Sequence, residues 1–125
     1  MLKIQIPGRA VPAVRMTQRS KYKNKQALRY LDYKERVGWC AKAAGARKPL
    51  EGDLHVHAIA YLLAKGTEPD VDNLGKAFLD GLNQIAFIDD RQVVKLTTEK
   101  RFVFQEDQQQ SVVYITHASA AACMD

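Results

Sequence analysis

Pro69-Asp70-Val71-Asp72-Asn73 sets two carboxylates two residues apart, a spacing at which an extended chain points both side chains the same way. Two such groups can share one cation. Lys76 and Asp80 follow Asp72 at successive four-residue steps, so on a helix the three lie along one stripe. Asp89-Asp90 comes just past where that helix should end, so five acids and one lysine fall within the 21 residues from Asp70 to Asp90. Hard cations such as Mg²⁺ take oxygen ligands, usually one or two carboxylates completed by water and substrate phosphate. The cluster offers that set. The competing reading is structural: Asp72 caps the helix, Lys76 pairs with Asp72 and Asp80, and Asp89-Asp90 shape a turn.

Charge along the chain separates into two halves. Met1 to Leu50 carries 13 Lys/Arg against two acids, whereas Glu51 to Asp125 carries six against 12. A basic half beside an acidic half suits a polyanion-binding surface next to a carboxylate site that holds cations. The acid-free stretch from Arg9 to Lys25 reads as an exposed basic loop, with Arg15, Arg19, Lys21 and Lys23 as the candidate phosphate-binding residues.

The elements that must position these groups follow from periodicity. Leu2, Ile4 and Ile6 alternate with polar residues as in a half-buried strand, and Pro7-Gly8 ends it. Apolar residues three to four apart over Gln26–Ala44 predict an amphipathic helix with Gly38 as a weak point inside it. Asp53–Leu63 is apolar on both alternate faces, which predicts a strand covered on both sides. Leu74, Phe78, Leu82 and Ile85 make one stripe of a second helix over Asp72–Ala86, with Asp72 as its N-cap. Gln92–Phe104 and Ser111–His117 alternate again, and the polar run between them predicts a hairpin.

The expected architecture is therefore α/β in the α+β sense: one domain over residues 1–125, in the order β-α-β-α-β-β, with helices packed on a mixed sheet. A chain of 125 residues buries enough surface for a core without metal or disulfide staples. Cys40 and Cys123 form no C-x-x-C pattern, so a reducing cytoplasm is the expected home. No apolar run approaches the ~18 residues of a membrane span, and the first residues lack the apolar centre of a signal peptide.

The segment from Pro69 to Val93, PDVDNLGKAFLDGLNQIAFIDDRQV, resembles the signature of the RusA-type Holliday junction resolvases, endodeoxyribonucleases associated with phages and prophages. It carries that family's D-x-D-N-x-x-K, a following D-x-L and a closing D-D-x-Q-V, and the IPGRAVPAVR opening is similar in a looser way. The resemblance implies a bacterial or phage-encoded homodimer that cuts branched DNA symmetrically with Mg²⁺, or Mn²⁺ in its place. By position it implies Asp70, Asp72 and Asp90 as essential acids and metal ligands, Lys76 as the essential lysine, and Asp80 and Asp89 as supporting acids. Against this stands a non-catalytic nucleic-acid-binding module whose acids form a helix-stabilising ion-pair network.

Other residues have ordinary readings. His55 and His57 stand at H-x-H spacing without a third soft ligand nearby, so they read as core or surface histidines. Trp39, Tyr22, Tyr30 and Tyr33 could stack on bases, but on or beside the first helix they read as packing residues, and Cys40 as a small buried hydrophobe.

Overall fold

The computed structural model describes residues 1–14 and 25–118. Strand β1 (Leu2–Pro7) buries Ile4 and Ile6 and turns Lys3 and Gln5 outward, as its period requires. Helix α1 (Lys25–Ala43) buries Ala27, Tyr30, Tyr33, Val37 and Ala41 along one stripe. Strand β2 (Leu54–Leu63) is followed by helix α2 (Val71–Leu82), then strand β3 (Val93–Val103) and strand β4 (Gln110–His117). This is the expected element order.

The four strands form one mixed sheet in the order β1-β4-β2-β3. β2 runs parallel to β3 and antiparallel to β4, and β4 is antiparallel to β1. The predicted hairpin between β3 and β4 is therefore absent, because β2 lies between them. Alternation alone carries no information about which strand a run pairs with. The connection crosses the end of β2, where the Gln109 side-chain oxygen accepts from the Leu63 amide at 3.0 Å and from Arg9 Nη1 at 2.7 Å.

One core links the helices to a single face of the sheet. Leu54, Val56, Ala58, Ala60 and Leu62 of β2 point into it with Ile4, Ile6, Val113, Ile115, Phe78 and Leu82. The expectation that β2 is covered on both sides fails on its other face. There His55, His57 and Tyr61 are half-buried, and His57 Nε2 meets Glu99 Oε1 of β3 at 2.6 Å. Ile59, which made the run look apolar on both sides, is buried between its strand partners Glu99 and Val112.

Glycines fix how closely α2 approaches its neighbours. A Cβ at Gly81 would stand 2.8 Å from Val37 Cβ and 3.1 Å from the Lys34 carbonyl oxygen, so the two helices touch backbone to side chain there. Gly38, expected to be a weak point, serves the same contact, since a Cβ on it would lie 2.6 Å from Ile85 Cδ1. On the sheet side, a Cβ at Gly75 would stand 2.6 Å from Thr98 Oγ1 of β3.

α2 ends earlier than its apolar stripe suggests. Asn83 caps it with an extended backbone and Gln84 takes a positive φ of 66°, which turns Ile85 back onto the core from outside the helix. The beginning of the predicted exposed loop is also packed, since Ala10 and Ala13 are buried and the Ala13 amide donates to the Asn73 carbonyl at 3.0 Å. Small side chains let a segment otherwise rich in loop signals lie against α2. Arg15, Arg19, Lys21, Lys23 and Tyr22 fall outside the described residues, as does most of the tail after His117.

Trp39 departs from its expected packing role: it is 63% exposed, with Lys42 Nζ 4.9 Å from the ring centroid. Tyr30 and Tyr33 are buried as expected. Burial pushes the Tyr33 hydroxyl up to about 12 against a hydrogen bond to Ser111 Oγ that pulls it down. Cys40 is only partly buried, and that burial raises its thiol above the ordinary value. No helix among the described residues is long and apolar enough to cross a membrane.

Candidate active site

Asp70 is the N-cap residue of α2, in extended conformation, and its side chain makes no capping hydrogen bond. Asp72, expected to be the cap, instead lies in the first helical turn and accepts from the neighbouring Asn73 amide at 3.0 Å. Both are exposed. The positive end of the helix dipole favours negative charge at this place. Lys76 stands one turn further on, exposed. Among the described residues it makes no ion pair with Asp72 or Asp80.

Asp80 is half-buried and has a different partner. The Tyr30 hydroxyl of α1 donates to its Oδ2. Burial, then this bond and the carboxylate's charge, hold the Tyr30 phenol well above its usual range.

Asp89 and Asp90 occupy the turn that leads into β3. Asp89 accepts from the Arg91 amide at 3.0 Å, which holds its carboxyl below the ordinary value. Asp90 is pushed up, first by a hydrogen bond shared with Asp89 and then by burial and the charges of Asp89 and Asp80. A carboxyl hydrogen-bonded to a neighbouring carboxylate is harder to ionise, which is why Asp89 and Asp90 shift in opposite directions.

Gln92 makes this turn rigid. Its Oε1 accepts from the Ile88 and Asp89 amides, while its Nε2 donates to the Leu50 and Gly52 carbonyls at 2.8 and 2.9 Å. The sequence signal for it was the glutamine two residues after Asp90. Its work became visible only with its partners.

The two groups of acids lie at opposite ends of α2. A helix of 12 residues is roughly 18 Å long. β3 gives the same answer: Lys100 Nζ donates to the Pro69 carbonyl at 3.0 Å, which places Asp70 beside the far half of β3, whereas Asp90 immediately precedes its start. Seven residues of strand span roughly 23 Å. Asp80 is the acid that the fold brings toward Asp90, through its charge. No group of three His, Cys, Asp or Glu side chains able to hold a metal exists among the described residues. Asp70, Asp72 and Asp90 of a single chain therefore do not fit as a shared metal site.

At the start of α2 the structure thus sets two exposed carboxylates beside a lysine that has no ion pair among the described residues, a group whose chemistry suits a phosphate. Residues 7–116 match the endodeoxyribonuclease RusA family, so the chain belongs to that family. No curated protein matches the chain.

Proposed function

We propose that this protein is a metal-dependent endodeoxyribonuclease that cuts four-way DNA junctions as a homodimer. Family membership supports the nuclease class. The observation that carries the catalytic reading is Lys76, which stands exposed four residues from Asp72 and has no ion pair among the described residues. The alternative, a structural network of acids and lysine, needs that lysine paired.

Separation of the acids supports the dimer. β3 is an edge strand, and Leu96 and Phe102 on its helix side are exposed, with Phe102 at 56%, as is Val94 at the register shift near its start. An unpaired edge strand presents free N–H and C=O groups that another strand can pair with, and exposed apolar side chains at its two ends add surface to bury. If β3 pairs antiparallel with β3 of a second copy about a two-fold axis, the start of each strand lies against the end of the other. Asp70 and Asp72 of one protomer then face Asp90 of the partner subunit, twice over.

Mg²⁺ held by these carboxylates would lower the pKa of a bound water and offset charge building on the scissile phosphate. An ammonium has no lone pair for a metal, so Lys76 has another task. It places a positive charge on a phosphate or leaving oxygen, where its effect grows as the transition state gains negative charge. Tyr30 fixes Asp80, and Gln92 fixes the Asp89-Asp90 turn. Arg15, Arg19, Lys21 and Lys23 bind flanking phosphates and set position more than sequence.

The test is incubation of the purified protein with a labelled four-way junction, with Mg²⁺ and with a chelator. Paired nicks in opposite strands are expected only with metal. Asp70→Asn, Asp72→Asn, Asp90→Asn and Lys76→Met should fold by circular dichroism, bind the junction and fail to cut. If all four cut at near wild-type rates, the acids are structural.

A further inference from the structure

A cavity of about 470 Å³ opens beside the start of α2. Val11, Pro12 and Val14 form one wall and Pro69, the residue before Asp70, forms another. Arg9 and Arg29 stand among its lining residues, which include no carboxylate among the described residues.

The walls are firmly built. The Ala13 amide bonds to the Asn73 carbonyl, which ties this segment to the helix turn that carries Asp72. Ala13, Tyr30 and Ala77 form a small buried cluster beneath it, with Val11 and Val14 packed against that cluster. Arg9 is held by the Leu63 carbonyl at 2.9 Å and by Gln109. Its charge is felt by Glu68, whose own carboxylate is occupied by the Lys65 and Gly66 amides. Arg29 is exposed on α1 and has no ion pair among the described residues.

A lone phosphate needs neither this volume nor these apolar walls. A nucleotide needs both, since its base has apolar faces and its phosphate seeks arginine. We propose that the cavity receives one nucleotide next to the scissile phosphate, splayed out of its stack, with its base between Val11, Pro12, Val14 and Pro69 and its phosphate toward Arg29. This rests on the nuclease reading above and adds to it a device that sets which phosphate reaches Asp70. Splaying costs least where strands exchange and bases are already poorly stacked.

The experiment uses the full chain and four-way junctions carrying 2-aminopurine, one position at a time, at the nucleotides flanking the mapped cut. Binding is followed in Ca²⁺ and cutting in Mg²⁺. At one position the fluorescence should rise severalfold on binding to the wild-type protein. Thr67→Trp, which fills the cavity mouth from an exposed position, and Arg29→Ala should both abolish that rise and slow cutting by about tenfold or more. Lys48→Ala, an exposed basic residue beyond the other end of α1, controls for loss of charge and should leave the rise intact. If the wild type cuts but no flanking position brightens, or if the rise survives in both cavity variants, the nucleotide-pocket inference is wrong. If the wild type binds junctions and never cuts them, the nuclease reading fails, whatever the fluorescence does.

Discussion

Gly75→Ala probes whether the close seating of α2 on β3 positions the catalytic groups. Gly75 lies between Asp72 and Lys76, facing the sheet, and an added Cβ would stand 2.6 Å from Thr98 Oγ1 and 3.3 Å from Leu96 Cδ2. The first distance is roughly 1 Å short of ordinary contact at about 3.5 Å. Thr98 is β-branched and held in a strand, so the helix must give way rather than the threonine. Alanine gains about 1 kcal/mol of helix propensity. Overpacking costs about 1–3 kcal/mol. The net expectation is a loss of about 0–2 kcal/mol in urea unfolding, with α2 displaced outward by up to ~1 Å. A displacement of that size at a reacting group costs about a hundredfold in rate. Junction cutting should therefore fall far more than stability does. Adding Thr98→Ala removes the clashing oxygen and should restore most of the cutting, with favourable coupling in the double-mutant cycle. If Gly75→Ala alone unfolds later by the helix-propensity gain and cuts like wild type, close seating of α2 does not set the site.

Three further outcomes are expected. Gln92→Leu removes the four hydrogen bonds that the Gln92 side chain makes around the Asp89-Asp90 turn and should cost about 1–3 kcal/mol in urea unfolding, with cutting reduced beyond the fraction unfolded. Thr98→Val should raise Tm, because the buried Thr98 Oγ1 has no hydrogen-bond partner among the described residues and valine keeps the shape at a gain of about 1 kcal/mol. Glu99 is held below the ordinary glutamate value of 4.5, first by Arg101 and then by His57. Its stabilising contribution is full above pH 4.5 and is lost as the pH falls from there through its folded-state value, so Glu99→Gln should flatten the acid side of a Tm-against-pH curve. An unchanged acid limb would mean that the contacts across the open sheet face contribute nothing to stability.

Local signals in the sequence were sufficient for the elements and insufficient for their neighbours. Ile4 and Ile6 in β1, and Ala27, Val37 and Ala41 in α1, are read from periodicity because burial of one face is a property of the element itself, whereas Leu28 and Ala44, which the same spacing puts on the apolar face of α1, are exposed. The place of β3 is not such a property. Its pairing with β2 depends on Gln109 and Arg9 carrying the chain over the end of β2, and Gln109 meets Arg9 from 100 residues away. The acids were legible because they are charged and spaced along and just past one helix, and their placement at its two ends was legible too. The groups that hold them were not. Tyr30 reaches Asp80 across 50 residues and Gln92 reaches Leu50 across 42, distances at which a single sequence gives no signal. Gly75 and Gly81 belong to the same class, since a glycine required by a neighbour's side chain looks like any glycine inside a helix.

The central claim is that Asp70 and Asp72 of one protomer work with Asp90 of the partner subunit. Mixing two inactive variants tests it. Asp70→Asn and Asp90→Asn are purified separately, mixed under conditions that exchange protomers, and assayed for junction nicking with Mg²⁺. In a mixed dimer, one site receives both substitutions and the other receives neither, so one intact site is restored. Random exchange makes about half the dimers mixed, so nicking should recover to about a quarter of the wild-type site count, mostly as single nicks. Recovery is the predicted result. If the mixture stays as inert as each variant alone after exchange is verified, the acids of different protomers do not share a site and the account is contradicted.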